Sequence, residues 1–291
     1  MRVKKKRILR IGNLMRLNWA EFFKSPKLFF LVFTYICIAE RCFFPMLQLS
    51  KEIDEYMNIY EPFINFCNSD VESILIPIVF LVLFCDFPKA NSHYTFTLVR
   101  CGRRNWLFAN VLFAGCASFL YLGGVFLVSV LVCQSRCFVL NGWSMYTRKM
   151  RFYYQTQLYA AGEDKGIPPG LYMHYRPLQA FGITILLNVL LAMFMVCICL
   201  LCNVLQKKDW GMMINVLLLI AGWVTNLFKV NGMWALPYGN SKIGWHNRFM
   251  LKEKVISDGY SIAYFVILTL ILYIILFRMI RKTPIYVSDN L

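Results

Sequence analysis

The chain has 291 residues, of which 59% are hydrophobic and only 16% charged, with 25 Phe; a soluble domain carries about 25% charged residues. That balance excludes a globular enzyme with a large polar surface, and several apolar runs exceed the roughly 18 residues that mark a membrane helix. The net charge of +16 does not point to nucleic acid, because the bases gather at the ends of apolar runs and in loops, where orientation and anionic lipid explain them.

Residues 1–27 hold nine Lys/Arg and one acid, Glu21. Ile8, Ile11, Met15, Trp19 and Phe22 recur at steps of three and four, the period of an amphipathic helix. A basic helix with an aromatic apolar face is predicted to lie at the cytosolic lipid surface, and Ser25-Pro26 marks its turn into the bilayer. The following apolar run is too long for the core of a cleaved secretory signal, so the first span is expected to remain as an anchor.

Six spans are predicted, at about 28–47, 73–87, 105–133, 178–205, 211–228 and 260–277. The fold class is all-α, a single polytopic transmembrane domain in the cell membrane. In the first span Glu40 and Arg41 lie past the middle. Two readings stand for them: an intramembrane functional pair lining a pathway or outer gate, or two long side chains snorkelling to the outer interface. Neighbouring helical positions point about 100° apart, so the two are poorly placed to pair with each other.

The predicted outer segments are 48–72, with six acids and one base, 134–177, rich in Tyr and broken by Pro168-Pro169-Gly170, and 229–258, with Trp234, Pro237, Trp245 and His246. Gly115, Ser118, Gly123 and Gly124 in the third span are small residues that let helices approach closely. The predicted inner segments carry 18 Lys/Arg in 65 residues against 12 in 101 outside, so both termini are expected in the cytosol.

Eleven cysteines are scattered along the chain. Cys197, Cys199 and Cys202 have loosely metal-like spacing but no His or carboxylate nearby, so they read as packing residues. Whether Cys67, Cys133 and Cys137 form a disulfide stays open. The chain lacks a Walker A phosphate loop, HExxH and GxSxG. Three His on the predicted opposite faces do not make a metal centre. No cofactor, metal site or catalytic residue is expected. Few ionisable residues fall inside the spans, which disfavours gradient-driven transport.

The segment Asp86–Asn110, DFPKANSHYTFTLVRCGRRNWLFAN, is a basic cytosolic loop with an apolar side. It combines Tyr94, Phe96, Leu98 and Val99 with Lys89, Arg100, Arg103 and Arg104, and Gly102 breaks it. Apolar residues ringed by Arg in an exposed loop are suited to docking a soluble partner.

Taken together, the flat amphipathic helix before the first span, Asp86-Phe87 closing the second, and the run Arg100-Cys101-Gly102-Arg103-Arg104 before Trp106 resemble the membrane subunit of bacterial ABC exporters of the type-2 permease class. Pro237 and Trp245-His246 before the last span are similar to six-span members from Gram-positive bacteria. Where that family often has a Lys soon after the aromatic, this chain has Asn110. The resemblance implies a cytosolic ABC ATPase as partner and a second permease subunit, identical or different. It also implies a coupling loop, 88–104, in which Asp86, Phe87, Tyr94, Phe96, Leu98, Arg100, Gly102, Arg103 and Arg104 meet the ATPase. The alternative from the residues alone is a non-transporting membrane sensor or immunity protein that binds a ligand through its outer loops.

Overall fold

The computed structural model describes residues 2–69, 71–84, 101–152, 166–205, 207–228, 232–246 and 256–282. It is mostly helical. Helix α1 (Arg2–Phe23) precedes α2 (Lys27–Ile53), which contains one π turn at Ala39–Phe43. A two-residue strand β1 (Met57–Asn58) leads to α3 (Glu61–Asn68), and a 3-10 turn at Glu72–Ile74 leads to α4 (Leu75–Phe84). Helix α5 (Arg103–Cys133) ends in a 3-10 turn and β2 (Cys137–Phe138). Then follow α6 (Met145–Phe152), α7 (Pro169–His174), α8 (Pro177–Val204), α9 (Lys208–Leu227), α10 (Pro237–Asn240), α11 (Ile243–His246) and α12 (Asp258–Lys282).

Among the described residues four helices are long and apolar enough to cross a membrane: α2, α5, α8 and α12. The pair α3 and Glu72–Phe84, bent by 85°, makes a fifth if it counts as one broken span. The protein is therefore a helical membrane protein. The fourth predicted span, 178–205, falls on α8, and the fifth, 211–228, on α9. Helix α9 is 20 residues long, opens on Lys208 and Asp209, and is not among the four. The first span is longer than expected: α2 continues through Gln48, Ser50, Lys51 and Glu52 and stops at Asp54, whose left-handed backbone (φ 53°) caps it.

Helix α8 is the centre of the bundle. Pro177 sits in its first turn, where the missing N–H costs nothing, and 67% of its most apolar window is buried, against 17% for α12 and 28% for α2. It packs on α5, α9 and α12. At the α8–α9 crossing a Cβ on Gly211 would come within 2.9 Å of the Cys199 backbone, so only glycine permits this approach. Gly124 meets the Tyr35 hydroxyl in the same way, whereas Gly123 faces open space.

The only sheet among the described residues is a parallel bridge, Met57 with Cys137 and Asn58 with Phe138. It joins the predicted outer segments 48–72 and 134–177, which the all-α expectation left as separate loops. Segment 48–72 also holds α3, all eight residues of which are buried. The three candidate disulfide cysteines, Cys67, Cys133 and Cys137, are free thiols.

Candidate functional site

Polar contacts gather at two ends of the bundle. At the predicted outer end, Glu61 is completely buried at the start of α3. Its carboxyl accepts the Asn58 N–H at 2.9 Å, the Ser144 N–H at 2.7 Å and the Ser144 hydroxyl at 2.6 Å. Burial pushes its pKa above the ordinary glutamate value, and these donors pull part of the way back. One side chain thus clamps β1 to the loop before α6. The Asn58 amide adds bonds to the Leu140 and Gly142 carbonyls. Arg136 pairs with Asp54 at 2.8 Å and Lys149 with Glu55 at 2.5 Å on the rim.

A second clamp is Lys242, between α10 and α11, with no exposed surface. Its ammonium donates to the Cys67 carbonyl at 2.8 Å and the Ser73 carbonyl at 3.3 Å, and lies 5.0 Å from the Tyr238 ring centroid. These carbonyls flank the break between α3 and α4. A cation at the C-terminal end of α3 meets the negative pole of that helix and carbonyls with no helical partner. The Tyr238 hydroxyl adds a 2.8 Å bond to Ser73, and Asn68 accepts the Gly244 N–H at 3.2 Å. The bent pair is thereby fastened to the segment before the last helix.

The third cluster centres on His246. Its Nδ1 lies 3.0 Å from Asp258 Oδ1 and its Nε2 3.1 Å from Ser261 Oγ. Tyr175 donates to the same Asp258 oxygen at 2.7 Å. Asn240 spends both amide hydrogens on the Trp234 and Leu236 carbonyls, which turns its Oδ1 to the Ser261 hydroxyl at 3.0 Å. The order serine, histidine, aspartate is that of an activated nucleophile. Ser261 is fully buried and His246 is 1% exposed, however, so the hydroxyl offers no face to a substrate. The chain of bonds instead staples segment 234–246 to the first turn of α12.

Neither Glu61 nor Lys242 nor the His246 relay was foreseen from the sequence, which took 229–258 as an outer segment and gave His246 a part only in the family resemblance. The available signal was density: Asn240, Ser241, Lys242 and His246 fall within seven residues between glycines and aromatics.

At the predicted inner end the coupling residues Asp86, Phe87, Tyr94, Phe96, Leu98 and Arg100 lie outside the described residues. Gly102 stands before α5 at φ 83°, a conformation that favours glycine. Arg103 donates to the Ile280 carbonyl at 2.5 Å, and the Arg104 guanidinium lies 4.6 Å from the Phe277 ring centroid. Arg103 therefore meets the carbonyl end of α12, and Arg104 a ring one turn before it. The resemblance implies that they meet the ATPase; within this chain they also tie α5 to α12.

Ile8 lies in α1. Ile11, Met15, Trp19 and Phe22 turn towards the protein core, with the Trp19 ring 4.8 Å from Phe113 and Phe22 stacked on Phe84 at 6.3 Å. Asn18 donates to Asn110 at 3.0 Å, which gives the unexpected Asn110 a structural purpose. The apolar stripe thus docks on α5 and α4, while Gly12, Asn13, Arg16 and Leu17 are exposed. Glu40 and Arg41 sit in the π turn of α2, both exposed.

Cys197 and Cys199 are buried in α8, and Cys199 accepts a bond from Asn215 at 3.3 Å across the α8–α9 contact. Among the described residues no group of three His, Cys, Asp or Glu is placed to hold a metal ion. His174 is exposed and bonds the Gly170 carbonyl. No family model matches the chain, and neither a curated protein nor a solved structure does.

Proposed function

We propose that the chain is the membrane subunit of an ATP-driven exporter of the ABC type-2 class, with six spans, cytosolic termini and a separate cytosolic ATPase. The observation that carries this reading is the linkage at the inner end. The exit of the loop 88–104 is a glycine followed by two arginines tied to α12, and α1 docks on the first half of α5. A partner that pushes on this loop moves α1, α5 and α12 together, which is what conversion of ATP-driven closure into span movement requires. The apolar docking residues are Phe96 and Leu98, and Arg100 is the base left to meet an acidic partner. The cargo expected from Phe- and Met-rich spans is amphipathic or lipid-like.

Purification of the tagged chain in mild detergent tests the reading. A protein carrying a Walker A phosphate loop is expected to accompany it. A well-folded chain that brings no such protein overturns the proposal.

The second reading is a membrane sensor or immunity protein. It is favoured by one observation: Glu61, Lys242 and Asp258 join parts of all three predicted outer segments into a single body. It predicts a ligand for that body and no ATPase.

A further inference from the structure

Glu40 lies 13 residues beyond Lys27 in α2, about 20 Å along the helix at ~1.5 Å per residue. Lys27 marks the inner boundary, where its ammonium donates to the Leu83 carbonyl. In a hydrocarbon core about 30 Å thick, Glu40 and Arg41 are then about 10 Å short of the outer surface. Both side chains are exposed, and among the described residues neither has an ion-pair partner.

Their direction is set by the π turn. The Phe44 N–H bonds the Ala39 carbonyl, which inserts one residue into the helix. Inward positions then repeat in pairs at Ile38-Ala39, Cys42-Phe43 and Met46-Leu47, all buried. The outward positions are Cys37, Glu40, Arg41, Phe44 and Gln48, and all five are exposed. An acid and a base on an outward face, inside the apolar depth, are costly against lipid. On an aspect of the chain that faces lipid, both side chains would have to snorkel to the outer surface, about 10 Å away.

We infer that this face of α2 is the contact between two copies of the chain, closed by reciprocal ion pairs in which Glu40 of one copy meets Arg41 of the other. A two-fold axis along the membrane normal sets two α2 helices side by side at equal depth. Adjacent residues on one helix diverge by about 100° and do not pair with each other. Across the axis the same divergence brings the acid of each copy to the base of its neighbour, twice, which is the self-complementarity an isologous interface demands. Cys37 lies one turn before the pair on the same face. The inference needs α2 to lie in the bilayer; it does not depend on an ATPase.

The test is the oligomeric state of the full chain in lipid nanodiscs and mild detergent, by light scattering over a range of concentration. The wild type is expected to be dimeric. Glu40→Arg alone and Arg41→Glu alone bring four like charges together and are each expected to weaken the dimer at least tenfold. The double variant Glu40→Arg/Arg41→Glu recreates two opposite pairs and is expected to restore it, which also shows that each substitution is compatible with folding. A wild type that stays monomeric, a dimer indifferent to both single variants, or a double variant that stays as weak as the single ones overturns the inference.

Discussion

The two ends of the bundle treat charge in opposite ways. At the predicted outer end, Glu61 and Lys242 are buried and His246 nearly so, and each is satisfied by donors or acceptors of the same chain. At the predicted inner end, Arg16 of α1 and Lys24 just after it are exposed. A buried ionisable group tolerates no exchange of partners, since an unpaired one is expensive. An exposed base on the edge of a bilayer is free to meet lipid or protein. The difference assigns shape-holding to the outer end and fits the partner-meeting role proposed for the inner one.

Removing a buried clamp sharpens this contrast most. Lys242→Ala leaves the Cys67 and Ser73 carbonyls without their cation and opens a void under Tyr238. The loss expected is about 3 kcal/mol, seen as a clear drop in the melting temperature of the detergent-solubilised protein. An unchanged melt breaks the assignment. Gly222→Leu comes next: a Cβ there lies 2.6 Å from the Tyr238 Cβ, and overpacking of this kind costs about 1–3 kcal/mol.

The third test is pH. Glu61 has a raised pKa in the fold because it is buried. The folded state then holds a proton that the unfolded chain releases at lower pH, so this contribution is full below the ordinary glutamate value and is lost as pH rises through the raised one. Melting is expected to weaken over that window in the wild type and to change less in Glu61→Gln, whose side chain does not ionise. Equal pH dependence in both proteins contradicts the burial argument. The smallest effect belongs to the inner end. Arg104→Ala removes a cation–ring contact at an exposed site and is expected to cost less than about 1 kcal/mol, within a degree or two of the wild-type melt.

The helices themselves were legible because long apolar runs have few other fates. The runs behind α5, α8 and α12 are uninterrupted, and their helices start and stop within a few residues of the predicted spans. Helix α3 was not legible, since Glu61, Asn65 and Asn68 give EPFINFCN the look of a surface loop. Glu61 and Asn68 are the ones that Asn58, Ser144 and Gly244 satisfy after folding. Lys242 and Cys67 are 175 residues apart, and no periodicity encodes such a bond. The apolar stripe of α1 was visible in its spacing, but spacing does not say whether lipid or α5 covers it. Arg103 and Arg104 were read by their charge and by the family resemblance; the α12 carbonyl that receives Arg103 and the ring under Arg104 are products of tertiary packing.

The central claim is that the inner loop, and not the outer body, holds an ATPase. The direct measurement is the ratio of co-purified ATPase to tagged chain, compared among wild type, Phe96→Ala/Arg100→Ala and a variant of the outer rim, Arg136→Ala, which removes the exposed ion pair with Asp54. The account predicts a ratio near that of the wild type for Arg136→Ala and a loss of tenfold or more for the inner variant. An ATPase retained by the inner variant, or absent from a well-folded wild type, contradicts it.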